Sequence, residues 1–163
     1  MKIGVMSDSH DNVPMIKKAV DVFNAEGCSL VIHAGDYCAP FSITPLEKLK
    51  CKWLGVFGNN DGDKKALSIK SDGMIVDHPY RYDLSNTRVV ITHELEDVQD
   101  LQGKIARQEV HLLIYGHTHK PDIRKLGTCL VVNPGETGGW TTGRSTVAIV
   151  ELETMEAKEI ELK

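Results

Sequence analysis

Apolar residues come in short runs, and almost every run ends abruptly in a polar, often glycine-bearing, segment. Lys2 to Met6 reads as a strand that enters the polar loop Ser7-Asp8-Ser9-His10-Asp11. Asn12 then caps a helix whose apolar positions Val13, Ile16, Val20 and Phe23 recur at helical spacing until Gly27 stops it. Leu30-Val31-Ile32-His33 forms a second strand running into Ala34-Gly35-Asp36, and Trp53 to Phe57 a third, entering Gly58-Asn59-Asn60-Asp61-Gly62. Between them Pro40 and Pro45 limit helix.

The second half changes character. Tyr80 to Leu84 and Arg88 to Ile91 flank the turn Ser85-Asn86-Thr87, the pattern of an antiparallel hairpin that ends in Thr92-His93. A helix is predicted over Asp97 to Gln108, with Val98, Leu101 and Ile105 on one face. Val110 to Tyr115 is the next strand and leads into Gly116-His117-Thr118-His119; a hairpin turns near Gly127, and late strands cover Ser145 to Leu152 and Ala157 to Leu162. Early βαβ units followed by hairpins indicate an α/β fold with mixed sheets, and two stacked sheets with helices outside would use all these strands.

Composition narrows the function classes. The 163 residues suit one domain spanning 1–163, with 41% hydrophobic and 26% charged residues and no disorder-prone bias. A net charge of −4 argues against a sequence-independent grip on nucleic acid, so no stable nucleic-acid binding is expected. A small phosphorylated substrate stays compatible, because bound metal would reverse the local sign of charge. Cys28, Cys38, Cys51 and Cys129 form no C-x-x-C pair and read as reduced packing residues. The first apolar run is too short for a signal peptide, and no stretch reaches transmembrane length. The expected address is the cytoplasm, with no membrane partner; a homo-oligomer stays open.

The chemistry collects at the strand exits. Five successive exits deliver Asp8-x-His10, Gly35-Asp36, Gly58-Asn59-Asn60-Asp61, Thr92-His93 and Gly116-His117-Thr118-His119. In open α/β sheets, ligands bind at the carboxyl ends of strands. Carboxylates, an amide oxygen and imidazoles together suit borderline divalent ions such as Mn, Fe, Ni or Zn. One carboxylate can bridge two such ions, and an ion pair roughly 3.5–4 Å apart can clamp a phosphate and hold a hydroxide. Taken singly, each donor has a plainer role: an Asp after a strand is usually a turn former or helix cap, and His-x-His alone is weak. His33, His78 and His111 fall outside the pattern and read as structural, while Asp11, Asp61, Asp63 and Asp83 read as caps, turns or solvated charges.

At these residues the chain resembles the calcineurin-like metallophosphoesterase superfamily, and its small archaeal and bacterial phosphodiesterase branch in particular. The resemblance rests on Met6-Ser7-Asp8-Ser9-His10, His33-Ala34-Gly35-Asp36, Gly58-Asn59-Asn60-Asp61, Thr92-His93 and Tyr115-Gly116-His117-Thr118-His119, followed by Asn133-Pro134-Gly135. It implies a four-layer αββα sandwich with two mixed β-sheets. It implies a first metal held by Asp8, His10, Asp36 and His119, and a second held by Asp36, Asn59, His93 and His117. Asp36 would be the bridge, and a metal-bridging hydroxide would attack phosphorus in line. The implied activity is hydrolysis of small or activated phosphate esters with two divalent transition-metal ions, Mn or Ni foremost and Fe or Zn as alternatives. The other reading is a weakly catalytic binding or scaffold module of the same fold; scaffolds tend to lose ligand histidines, and none is lost here. Three positions depart from the family pattern. Asn60 stands where many family phosphatases carry a catalytic histidine, Glu94 where glycine is usual, and Glu136 where a small polar residue is common.

Overall fold

A computed structural model describes residues 1–163. The chain folds in the order β1 (Lys2–Met6), α1 (Val13–Glu26), β2 (Leu30–His33), a 3-10 segment Pro40–Lys48, β3 (Lys52–Val56), α2 (Lys64–Lys70), β4 (Ile75–Val76), β5 (Tyr80–Leu84) and β6 (Thr87–Ile91). A 3-10 turn Leu95–Asp97 follows, then α3 (Leu101–Ala106), β7 (Leu112–Ile114), β8 (Pro121–Leu126), β9 (Cys129–Pro134), β10 (Thr146–Glu151) and β11 (Glu156–Glu161). One sheet runs β11-β10-β1-β2-β3-β4 and the other β5-β6-β7-β9-β8. Both are mixed: β1, β2, β3 and β4 are mutually parallel, as are β6, β7 and β9, while the outer hairpins are antiparallel.

Side-chain alternation sorts the core into three slabs. Ile3, Val5, Ile32 and Val150 of the first sheet meet Val89, Ile91, Ile114 and Val132 of the second. Ile16, Val20 and Phe23 of α1 cover the outer face of the first sheet, against Met6, Val31 and Ile149. Val98 and Ile105 cover Val90, Leu113 and Val131 on the outside of the second. Central strands such as β2 and β7 are therefore buried on both faces, which is why they read as unbroken apolar runs. The architecture is the expected four-layer αββα sandwich. No helix is long and apolar enough to cross a membrane.

Two expectations need correction. The helix over Asp97 to Gln108 does not form as one piece: a 3-10 turn ends at Asp97, and α3 spans only Leu101–Ala106. Asp100, with φ at +51°, interrupts it, because a left-handed residue cannot propagate a right-handed helix. The apolar spacing still reported burial correctly, since Val98 and Ile105 are buried and Leu101 packs against them. The sequence reading also omits α2 and β4. Asp63 caps α2 by accepting a hydrogen bond from the Ala66 amide at 2.9 Å, but Leu67 is its one buried residue, so no amphipathic stripe marks it. The proline-bearing segment becomes the nine-residue 3-10 stretch with both prolines inside.

Candidate metal centre

The parallel strands β1, β2, β3, β6, β7 and β9 all point their carboxyl ends to one rim, and the donor residues lie in the loops that leave them. Five of the seven candidate donors have left-handed backbones: Asp8 (φ 52°), His10 (42°), Asp36 (63°), His117 (67°) and His119 (60°). Such conformations are uncommon outside glycine and survive where the surroundings fix them. Here the fixing bonds come from neighbouring exits. The Asp8 amide donates to the Gly35 carbonyl at 3.0 Å, and the His10 amide to the Asp36 carbonyl at 3.1 Å. The His117 amide donates to both oxygens of the Asp8 carboxylate, at 3.2 and 3.1 Å.

The donors fall into two groups that share one residue. Ligand atoms of Asp8, His10, Asp36 and His119 all lie within 4.8 Å of one another. His119 Nε2 is 3.4 Å from Asp8 Oδ1, and His10 Nε2 is 3.5 Å from Asp36 Oδ2. That same Asp36 oxygen is 3.5 Å from His93 Nε2. His93 Nε2 in turn lies 2.9 Å from Asn59 Oδ1, which also meets His117 Nδ1 at 3.1 Å. All seven sequence-predicted donors are thus brought together, and Asp36 stands between the two groups.

The electrostatics describe a place built for positive charge. Asp8 and Asp36 are buried, and the only potentially cationic groups near them are imidazoles. Burial pushes the Asp8 carboxyl above its ordinary range. Burial would do the same to Asp36, but hydrogen bonds from His93 and Asn60 outweigh it and hold that carboxyl well below the usual range. His93 Nδ1 lies 2.7 Å from the Ala34 carbonyl and so carries a proton; its Nε2 then faces two oxygen acceptors. Burial opposes a charge on this ring, yet Asp36 raises its pKa to about 9. A cation held among these atoms would relieve the same conflict without a second proton. Two further buried nitrogens, His10 Nε2 and His119 Nδ1, lack any hydrogen-bond partner. His119 Nδ1 does sit 3.3 Å from Glu136 Oε1, so the pair attracts, but off the line of a hydrogen bond. Buried polar atoms are rarely left unmatched, and the orphaned His10 nitrogen faces both carboxylates. The donor set therefore fits divalent cations.

A supporting layer sets the donors. Asn60 donates to Asp36 twice, from its backbone amide to Oδ1 and from its side-chain amide to Oδ2, both at 2.8 Å. Asp61, read from sequence as a turn or cap residue, holds turns but is buried: it accepts from the amides of Asp36 (3.2 Å), Cys38 (2.8 Å) and Gly58 (2.7 Å), tying the exits of β2 and β3 together. Gly58 packs so closely on Asp36 that a Cβ there would overlap its carboxylate. Asn133 donates to the Gly116 carbonyl and to Thr118 Oγ1, at 2.8 and 3.0 Å, which accounts for the Asn-Pro-Gly segment. Glu136, fully buried, accepts from Thr141 and Thr142. Burial would raise its pKa, but those donors and His119 lower it.

The remaining histidines stay outside the cluster. His33 is buried, receives the Gly35 amide on Nδ1 at 3.2 Å and meets Ser9 Oγ at 3.0 Å; burial lowers its pKa to about 3. His78 is nearer than the sequence suggests, with its ring 6.2 Å from that of His93 and its Nδ1 3.2 Å from Thr92 Oγ1. His111 accepts the Arg88 amide at the far end of β7. Glu94 contributes its carbonyl to Thr92 Oγ1 at 2.8 Å, closing the turn after β6. All four cysteines are free; Cys28 and Cys129 are buried, while Cys38 and Cys51 are half-buried.

Comparison with known proteins places this geometry in a family. The model for the calcineurin-like phosphoesterase superfamily domain matches residues 1–155. A protein of Methanocaldococcus jannaschii named a phosphodiesterase is 37% identical over the whole length of both chains. A solved structure described as a novel archaeal phosphodiesterase superposes with a TM-score of 0.90 at 36% identity, covering 99% of this chain and all of that one. The Escherichia coli phosphoesterase YfcE shares the fold across both full chains, with a TM-score of 0.71 at 19% identity. With its family model matched over nearly the whole length and its strand-exit donors gathered at one rim, this chain belongs to the calcineurin-like phosphoesterase superfamily.

Proposed function

We propose that this protein is a metal-dependent phosphodiesterase that hydrolyses small or activated phosphate esters at a dinuclear centre. The observation that carries this reading is the cluster itself: Asp8, His10, Asp36 and His119 within 4.8 Å, joined through Asp36 to Asn59, His93 and His117, with buried ring nitrogens left unpartnered. The relative named a phosphodiesterase supports the reaction class. Asp8, His10, Asp36 and His119 would hold one divalent ion, and Asp36, Asn59, His93 and His117 the other, Mn or Ni being favoured. Bound ions of this kind supply positive charge for phosphoryl oxygens and a water that is nucleophilic at neutral pH.

The chain's own residues do the positioning. Asn60 clasps Asp36 at two points and fixes the shared carboxylate. Ala34 holds the His93 ring, and the His117 amide holds Asp8. Because Asn60 cannot supply a proton at neutral pH, esters with good leaving groups should react best. We infer a cytoplasmic enzyme from the free cysteines, acting on small molecules rather than duplex nucleic acid, as the net charge of −4 favours.

The test is metal stoichiometry together with activity. Chelated protein should lose diesterase activity and regain it with Mn or Ni. Asp36→Asn should reduce occupancy of both sites, whereas His119→Ala should mainly empty one. Full activity after verified metal removal, or two ions per chain in the Asp36 variant, would refute the assignment.

A further inference from the structure

Trp140 combines features found together nowhere else in the molecule. The segment after β9 is stitched to the loop that carries Asp8 and His10: the Thr137 amide donates to the Ser7 carbonyl at 2.9 Å, the Gly138 amide to the Asp8 carbonyl at 3.0 Å, and Asn12 Nδ2 to the Gly138 carbonyl at 2.6 Å. Beyond Trp140, the amides of Thr141 and Thr142 are taken up by the buried Glu136, which faces His119. The backbone bearing Trp140 is therefore held on both sides. Its indole Nε1 donates to the His10 carbonyl at 3.0 Å, so the ring's one polar atom is satisfied and its edge fixed. Trp140 nevertheless stays 67% exposed, and no other ring or cation of the chain stacks on its ring.

Single exposed apolar residues are ordinary on protein surfaces, and Ile69 and Met74, on α2 and just beyond it, are of that kind. Trp140 differs in being anchored to the backbone of His10, whose ring belongs to the donor cluster, with an open aromatic face. A nucleotide presents a phosphate and a flat base separated by one sugar. Stacking on an indole is tolerant of base identity, since every base has a π-face.

We propose that Trp140 is a specificity-determining residue that stacks on the base of a small nucleotide-type phosphodiester while the phosphate lies at the cluster. This rests on the phosphodiesterase reading above and names its substrate class as esters carrying a planar aromatic group close to the phosphate.

The test is calorimetric binding of adenosine 5′-monophosphate and of ribose 5-phosphate, which lacks the base, to Mn-reconstituted full-length protein. The native protein should prefer the nucleotide roughly 5- to 100-fold, the range that stacking on an aromatic side chain provides. Trp140→Ala should collapse that preference, and Trp140→Phe should restore part of it, with folding of both checked by thermal unfolding. A native preference near unity overturns the proposal, as does one that survives Trp140→Ala. A change of solution mass in Trp140→Ala would assign the ring to a subunit contact and also overturn it. Failure of the native protein to bind either compound is a different result, which removes the phosphoester site itself and this proposal with it.

Discussion

Gly58→Ala isolates the dependence of the centre on one close approach. Gly58 leaves β3 with its amide bonded to Asp61 at 2.7 Å, and its φ lies outside the left-handed region, so alanine can adopt its backbone without strain. The obstacle is space alone. An added Cβ would come within 2.9 Å of Asp36 Cγ, and closer still to Asp36 Oδ1 and its backbone nitrogen. Asp36 has nowhere to retreat, because Asn60 grips both carboxylate oxygens and Asp61 holds its amide. Overpacking of this kind typically costs about 1–3 kcal/mol. For a chain of this size each kcal/mol shifts the melting temperature by about 2–4 °C, giving a loss of about 2–12 °C. Displacing the shared carboxylate should also weaken metal binding at both sites, and a misplacement near 1 Å can cost about 100-fold in rate. Gly62→Ala is the control: it lies in the same exit loop, has no atom within 4 Å of the added Cβ and should melt and bind metal like the native protein. Circular dichroism melting and metal content after equilibrium dialysis read both effects. A Gly58→Ala protein with native melting temperature and two ions per chain would refute the reasoning.

Three other outcomes follow from particular residues. Rates should fall steeply as the leaving-group pKa of the ester rises, since a placed proton donor is worth ~10²–10⁴ and Asn60 is none; Asn60→His should narrow the gap between nitrophenyl and alkyl esters, and a flat dependence in the native protein would show that another residue donates the proton. His33, whose folded pKa is depressed to about 3, is buried neutral, so its contribution to stability is complete above the unfolded value near 6.5 and is lost as pH falls below it, by up to ~1.4 kcal/mol per pH unit. Nuclear magnetic resonance should show its ring neutral at pH 5, and titration above that pH would contradict the burial argument. Duplex DNA should bind weakly and release at moderate salt, as the net charge of −4 implies, and retention at ~0.5 M salt, where surface charges are strongly screened, in a filter-binding assay would overturn the small-substrate reading.

The sequence by itself determined which polar residues the strand exits present. Apolar runs located most of the strands, and the polar residues ending them, Asp8, His10, Asp36, Asn59, His93, His117 and His119, were legible because strand exits in such sheets are where side chains can leave the core. Periodicity also reported the burial of Val98 and Ile105 even where the helix itself was misjudged. Tertiary structure alone decided how the donors face one another. The left-handed turns at Asp8, His10 and His117 depend on bonds between exits, and the carboxylate of Asp8 is fixed by an amide 109 residues away. Asp61 looked like a turn former until three amides from two exits converged on it, and Glu136 looked like a departure until the fold set it beside His119. Local pattern records which residues are buried, because burial follows from spacing along one strand or helix; it cannot record which distant backbone group will satisfy a carboxylate, because that partner is chosen only when the two sheets close on each other.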